Sequence, residues 1–153
     1  MWELQEMLKE IGGFAGVTLQ PAAGAHGELA GLMMIRKFHE SNGNPRKKVI
    51  VADTAHGTNA ATCTFAGYSV VPVKTRADGY LHAADIAPLI DGDTAALMAT
   101  NPNTLGIFER EVGTIAGLLH EKGALLYGDG ANMNALLGRA RAGDLGIDVI
   151  HYN

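Results

Sequence analysis

Apolar and polar positions along this chain follow a helical period in some segments and form short continuous apolar runs in others. In the first twelve positions, apolar residues recur at spacings of three and four, at Met1, Leu4, Leu8 and Ile11. This spacing predicts a helix that Gly12 and Gly13 end. No capping residue precedes it, so we expect residues 1–12 to complete a helix that begins in an upstream region.

Beyond residue 13 the chain alternates between predicted strands and predicted helices. The strands are predicted at 16–20, 48–52, 68–74, 94–100, 124–127 and 148–151. The helices are predicted at 28–40, 58–66, 82–90 and 111–122. This alternation predicts an α/β fold, in which helices cover both faces of a mostly parallel sheet and form a three-layer domain. We expect one domain over residues 1–153, with sheet edges that favour association.

Local patterns also predict how individual helices begin and which faces they bury. We expect Gly24–Gly27 to form a turn and Thr58 to cap the helix at 58–66. The helix at 28–40 is expected to direct four apolar side chains inward, from Leu29, Leu32, Met33 and Phe38. The helix at 111–122 is expected to present one apolar face, from Ile115, Leu118 and Leu119.

Composition places the chain among globular proteins, because 47% of its residues are hydrophobic and 18% are charged. The formal net charge is -4 and no run of lysine or arginine occurs, which argues against nucleic-acid binding. One cysteine, Cys63, excludes an internal disulfide, and we expect it to pack in a helix near the core. No apolar run reaches the length of a membrane span and no signal peptide is visible, so we expect a cytoplasmic protein.

Asp129 is the most informative polar residue, because it follows the apolar run at 124–127 and lies among small residues. The carboxyl ends of parallel strands are where open α/β sheets bind ligands, and small residues allow a flat ligand to approach. A buried carboxylate needs a partner, and a protonated ring nitrogen is one such partner. Two alternatives stand: Asp129 caps the next helix, or it binds a metal, although the six histidines show no H-E-x-x-H spacing.

Three more polar segments follow predicted strands. The turn that contains Gly24, Ala25 and His26 opens a helix, so it either binds a phosphate or is an ordinary tight turn. His56 lies between small residues and either stacks on a planar ligand or is satisfied by hydrogen bonds in a loop, and the residue alone favours the loop. Asn101, after Thr100, either donates to a ligand phenolate oxygen or belongs to a structural turn.

The order of these segments narrows the choice of ligand. A phosphate turn, an aromatic ring, an Asn-Pro turn and a strand-end aspartate follow one another across one predicted sheet. This combination is typical of a pyridoxal phosphate site, in which the phosphate lies at a helix N-terminus and an aspartate keeps the pyridine nitrogen protonated. The protonated ring then stabilises a carbanion at the α-carbon of the substrate.

Five segments together closely resemble the C-terminal half, or subunit 2, of the glycine cleavage system P-protein family, the pyridoxal phosphate-dependent glycine dehydrogenases (decarboxylating). They are Leu19–Glu28, Ala55–Asn59, Thr100–Gly106, Asp129–Ala135 and Gly138–Arg141. The resemblance covers essentially all 153 residues. Ala60 and Ala142 stand where the family usually has proline, in turns or helix starts outside the site.

The resemblance implies the cofactor-binding domain of the aspartate-aminotransferase fold. It implies that Asp129 pairs with the pyridinium nitrogen, that His56 stacks on the ring, and that these two carry catalysis. It implies further cofactor contacts from Gly24, Ala25, His26, Thr100, Asn101, Ala131, His151 and Asn153. The Schiff-base lysine of the family is expected just beyond Asn153, and Lys122 occupies no matching position, so we expect this chain alone to be inactive.

The activity that the resemblance implies is the decarboxylation of glycine and the transfer of the aminomethyl group to the lipoyl arm of the H-protein. Expected partners are glycine, the lipoylated H-protein and P-protein subunit 1 or the N-terminal half, within an oligomer. One alternative is a non-catalytic module that retains the fold and binds a cofactor or a protein partner. Another is a different phospho-ligand enzyme, which the lack of a G-x-G-x-x-G or P-loop signature disfavours.

Overall fold

The fold, seen in a computed structural model that describes residues 1–153, is one five-stranded parallel sheet with helices on both faces. The strands are β1 Lys48–Ala52, β2 Ser69–Val73, β3 Thr94–Thr100, β4 Leu125–Gly130 and β5 Val149–Tyr152. The helices are α1 Trp2–Gly12, α2 Gly24–Ser41, α3 Gly57–Phe65, α4 Ala83–Ile86 and α5 Val112–Glu121. Short 3-10 helices cover Ala87–Leu89, Met133–Ala135 and Gly143–Leu145. The predicted α/β class and parallel sheet are confirmed.

The strand order β2-β1-β3-β4-β5 places β3 at the centre, and every residue of β3 is buried. Alternate residues of the strands point to opposite faces of the sheet and pack into two separate cores. On one face, Leu97 of β3 packs with α4 and α5, while on the other Met98 packs with α2 and α3. The sheet is therefore the middle layer of three, as an all-parallel sheet requires because both of its faces must be covered.

The connections diverge between β1 and β3, which are neighbours in the sheet. From β1 the chain passes through α3 to β2, and from β3 it passes through α5 to β4 on the opposite face. A crevice opens outside the carboxyl ends of the strands at such a point, where open α/β sheets bind ligands. The segments after β1 and β3 hold His56 and Asn101, which the sequence marked as candidate ligand contacts.

Most predicted elements are confirmed to within a few residues, but the strand at 16–20 is wrong. No strand forms there, because no neighbouring strand pairs with it. Its contact with α1 is a side-chain hydrogen bond, from Gln5 Nε2 to the carbonyl oxygen of Val17 at 2.8 Å. Strand propensity without a partner does not make a strand.

The start and the buried face of α2 also differ from the prediction. Gly24–Gly27 is the first helical turn, which the amide of Gly27 closes on the carbonyl oxygen of Ala23 at 3.0 Å. Met33 and Phe38 are 58% and 47% exposed, although both were expected to point inward. The buried face instead consists of Glu28, Gly31, Leu32, Ile35 and His39.

Close packing of glycine against the sheet sets the rotation of α2. A Cβ on Gly31 would lie 2.4 Å from Tyr127 Cε2, and a Cβ on Gly27 would lie 2.7 Å from His151 Cβ. Both glycines therefore face the sheet at a distance that a side chain prevents. The two large apolar residues are carried to the outer face as a consequence.

Three further differences concern element ends. His56, rather than Thr58, is the N-cap residue of α3, and the Thr58 amide lies 3.2 Å from its Nδ1. Strand β4 runs to Gly130, so Asp129 lies within the strand end instead of after it. Cys63 is fully buried, as expected. None of the helices combines the length and the apolar character needed to cross a membrane.

Candidate functional site

Asp129 lies at the carboxyl end of the sheet, in register with Thr100 of β3 and His151 of β5. Only 4% of it is exposed. Asn59 Nδ2 of α3 donates to Oδ2 at 3.0 Å, and the Ala131 amide donates to Oδ1 at 3.0 Å. His151 Nε2 lies 3.2 Å from the same Oδ1.

These donors keep the Asp129 carboxyl ionised. Burial alone raises its pKa, but the hydrogen bonds from His151, Asn59 and the Ala131 amide outweigh burial and hold the pKa at about 2. The Ala131 contact is the local turn that the capping alternative implied, whereas His151 and Asn59 come from distant elements. The site therefore contains a buried negative charge at neutral pH.

Tyr127 and His151 form a second buried contact beside this carboxylate. Tyr127 is fully buried, and its hydroxyl lies 2.8 Å from His151 Nδ1. Burial raises the pKa of Tyr127, so the phenol keeps its proton and donates it to Nδ1. The opposite nitrogen, Nε2, then faces Asp129 with a proton.

Glu28 is a second buried carboxylate, at 4% exposure. Its Oε1 accepts from Thr58 Oγ1 at 2.7 Å and its Oε2 accepts from Thr62 Oγ1 at 3.2 Å. Thr58 Oγ1 also lies 2.7 Å from His56 Nδ1. A series of contacts thus joins α2 to the exposed ring of His56 at the start of α3.

The N-terminus of α2 lies against the end of β5. A Cβ on Gly24 would lie 3.4 Å from Asn153 Cγ and 3.6 Å from His151 Nε2. No side chain caps this helix, so its first amides stay free for a ligand. Ala25 and His26 are exposed at the same helix end. The predicted phosphate turn and the predicted strand-end carboxylate are therefore neighbours through His151.

Thr100 and Asn101 are each 6% exposed at the end of β3. Asn101 Oδ1 accepts from the Glu109 amide at 3.0 Å, while Asn101 Nδ2 and Thr100 Oγ1 have no hydrogen-bond partner. A buried donor without a partner costs roughly 1–3 kcal/mol. These two groups are therefore open positions for a polar ligand.

The structure thus brings Asp129, His151, Gly24 and Asn153 together, and places Thr100 beside Asp129 through the strand register. No hydrogen bond connects Asn101, Ala25 or His26 to that group. Sequence reasoning missed three buried groups, from Glu28, Asn59 and Tyr127. The sequence signal for these three residues was weak. Each is a polar residue at a position that the helical or strand pattern places inward.

One group of side chains has the composition of a metal site. Glu28, Asp129 and His151 offer ligand atoms within 4.8 Å of one another, and all three are buried. Both carboxylates already accept hydrogen bonds from protein donors, Thr58 and Thr62 at Glu28, and Asn59 and Ala131 at Asp129. Hydrogen bonding therefore accounts for this cluster.

Comparisons with known proteins identify a family and several relatives that the chain is similar to. Residues 27–152 match the aminotransferase class-V family. The chain is 61% identical to the probable glycine dehydrogenase (decarboxylating) subunit 2 of Chloroherpeton thalassium and 59% identical to that of Pelodictyon phaeoclathratiforme. Each alignment covers all 153 residues of this chain. The chain spans about a third of these relatives, 31% and 32% of their lengths.

Solved structures show the same fold at low sequence identity. A glycine decarboxylase (P-protein) of the glycine cleavage system superposes with a TM-score of 0.75 at 21% identity, over 97% of this chain and 32% of that chain. An aspartate aminotransferase of Thermus thermophilus superposes with a TM-score of 0.63 at 23% identity, over 81% of this chain and 34% of that chain. The sheet and its flanking helices are thus those of aminotransferase-fold proteins.

Proposed function

This chain belongs to the aminotransferase class-V family, and from that premise we propose that it is part of the cofactor-binding domain of a pyridoxal phosphate-dependent glycine dehydrogenase (decarboxylating). The observation that carries the proposal is Asp129, a buried carboxylate held ionised at the carboxyl end of the sheet. A buried anion without a lysine or arginine beside it favours a cationic ligand group. A pyridinium nitrogen supplies such a group.

The remaining residues fit the cofactor. Its phosphate suits the uncapped N-terminus of α2, at Gly24, Ala25 and His26, where free amides and the helix dipole favour an anion. Its phenolate oxygen suits the unpartnered amide of Asn101, and the unpartnered Thr100 hydroxyl lies beside Asp129 in register. His56 would stack on the ring, and small Ala131 would let the ring approach. His151 and Asn153 would line the phosphate end.

Pyridoxal phosphate, when bound, withdraws electrons from the α-carbon of an amino acid and so favours loss of its carboxylate. Asp129 would hold the proton on the ring nitrogen that this withdrawal requires. Asn59 and His151 would keep Asp129 oriented and ionised, since both donate to it. Burial of Asp129 keeps water from weakening that interaction.

We propose glycine as the substrate and the lipoyl arm of the H-protein as the acceptor of the aminomethyl group. The proposal is supported by the relatives at 61% and 59% identity, whose names specify a glycine dehydrogenase subunit 2. Those names also support a partner subunit, which would be P-protein subunit 1 or the equivalent half of one chain. We propose residues 1–153 as part of a single cofactor-binding domain in a cytoplasmic enzyme.

The test is an absorbance titration of the full-length protein that contains this chain, with pyridoxal phosphate and then with glycine. We expect a visible band that shifts when glycine is added, and release of carbon dioxide in the presence of the H-protein. Asp129→Ala is expected to abolish turnover. Asp93→Ala is the matched control, because Asp93 is exposed at the opposite end of β3, and it should retain full activity. Turnover retained by Asp129→Ala would refute the assigned role.

A further inference from the structure

The contacts between α2 and α3 form a continuous line of hydrogen-bonding groups that ends at the candidate site. Glu28 Oε1 lies 2.7 Å from Thr58 Oγ1, and Thr58 Oγ1 lies 2.7 Å from His56 Nδ1. Glu28 is buried, whereas the His56 ring is exposed at the N-cap of α3. No hydrogen bond involves His56 Nε2, so that nitrogen is free to meet a ligand.

Proton counting decides which atom donates in this line. A carboxylate only accepts hydrogen bonds, and a threonine hydroxyl has a single proton to donate. If Thr58 donates that proton to Glu28, its oxygen has only lone pairs left for His56. His56 must then donate from Nδ1 to Thr58 Oγ1, and its Nε2 must lack a proton.

A second contact at the same nitrogen requires the opposite arrangement. The Thr58 amide points at His56 Nδ1 from 3.2 Å, a contact in which Nδ1 accepts. The hydroxyl contact is shorter, at 2.7 Å, and lies within the range of a strong hydrogen bond. Because Glu28 uses the hydroxyl proton, the shorter contact governs the tautomer.

We propose that Glu28 is a positioning residue that acts through Thr58 to hold His56 in its Nδ1–H tautomer. The free Nε2 then offers a lone pair to the ligand instead of a proton. The ligand group that meets it is a hydrogen-bond donor, such as an amine. The tautomer is inferred from the shorter of the two contacts at Nδ1, whereas its use toward an amino-acid substrate rests on the proposed function.

The experiment is nitrogen NMR of the 16.1 kDa chain labelled with 15N in its histidine rings, without pyridoxal phosphate. The pH is set about two units above the ordinary histidine pKa of roughly 6.5, so that neutral rings dominate. The His56 signals are identified by their loss in His56→Gln. We expect Nδ1–H to exceed Nε2–H, because the 2.7 Å contact with Thr58 Oγ1 outweighs the 3.2 Å contact from the Thr58 amide that this tautomer gives up.

Three substitutions test the hydrogen bonds of this line one at a time. Glu28→Met removes the acceptor, which frees the Thr58 hydroxyl to donate to Nδ1 and should shift His56 to Nε2–H. Thr58→Val leaves only the Thr58 amide as a partner and should produce the same shift. Thr62→Val is the matched control, because it removes the other hydrogen bond of Glu28 and leaves the line to His56 intact.

Thr58→Ser keeps the hydroxyl but loses the methyl group, and it should keep the wild-type tautomer. A role for Thr58 that is only structural does not predict that the tautomer depends on the hydroxyl. The proposal is overturned if wild-type His56 is mainly Nε2–H, a result that needs no variant other than the His56→Gln used to identify the signals. It is also overturned if Glu28→Met folds and leaves the tautomer unchanged. These NMR results do not depend on cofactor binding. If the pyridoxal phosphate titration fails, the proposed function is rejected, but the inference about the His56 tautomer is not affected.

Discussion

Gly31→Ala is the substitution that most directly tests the packing behind the candidate site. Gly31 lies on the buried face of α2, against the ring of Tyr127. A Cβ there would lie 2.4 Å from Tyr127 Cε2 and 3.0 Å from Val149 Cγ1. Carbon atoms in contact are normally about 3.5–4.0 Å apart. The helix and the ring must therefore separate by about 1 Å to admit the methyl group.

The expected cost follows from two opposing effects. Overpacking a buried site costs about 1–3 kcal/mol, while alanine stabilises a helix interior by about 1 kcal/mol relative to glycine. We expect the upper part of the overpacking range, because Tyr127 is fully buried and its hydroxyl is held by His151. The net loss in the free energy of unfolding should be about 1–2 kcal/mol.

The assay is urea unfolding of the 153-residue chain, followed by far-UV circular dichroism. Gly117→Ala is the matched control, because Gly117 is an exposed residue in the middle of α5 and a Cβ there meets nothing within 4 Å. This control should gain about 1 kcal/mol from helix propensity alone. The difference between the two variants then isolates the packing cost, at about 2–3 kcal/mol.

Equal stabilisation of both variants would refute the close approach of α2 to Tyr127. An intermediate result is informative as well, since Tyr127→Phe combined with Gly31→Ala tests whether the hydroxyl holds the ring in place. If the hydroxyl holds the ring, the overpacking cost of Gly31→Ala falls in the Tyr127→Phe background. An unchanged cost in that background would show that the ring is confined by the core alone.

Two further predictions concern the titratable groups of the same region. The pKa of Asp129 is lowered to about 2 from an ordinary value of 3.8. Its ionised form therefore contributes about 2 kcal/mol to the free energy of unfolding above pH 4. This contribution is lost as the pH falls from about 4 to 2. The stability difference between the wild type and Asp129→Asn should therefore shrink over that window, and a constant difference in acid unfolding experiments would contradict the assignment. Burial raises the pKa of Cys63 to about 12, so a thiol reagent at about pH 8 should label the chain only after unfolding in urea. Rapid labelling of the folded chain would show that α3 opens readily.

The sequence predicted the class of fold because hydrophobic periodicity is a local property. The continuous apolar run at 94–100 became β3 with the same bounds, and the period of three and four in the first residues became α1. Asp129 was predicted as a candidate site residue by the same route, since an aspartate directly after a buried run lies at the carboxyl end of a parallel strand. Tertiary contacts were not needed for any of these conclusions.

Local pattern was misleading where tertiary packing outweighs propensity. The glycines at 24 and 27 resemble turn residues in sequence, but in the fold they let α2 lie close to β5, and the helix begins at Gly24. That approach rotates α2 so that Glu28 and Ile35 face inward while Met33 and Phe38 face outward. Period alone cannot choose between these faces, because both carry apolar residues.

The sequence by itself determined the α/β class, most of the helices and strands, and that a strand-end carboxylate lies among small residues. The tertiary structure alone decided what surrounds that carboxylate. Asn59 reaches Asp129 across 70 positions of the chain, and Tyr127 meets His151 across 24. Thr58 reaches Glu28 across 30 positions. Such contacts depend on strand order, register and helix rotation, and these are set by the packing of the whole sheet against its helices and not by any local pattern.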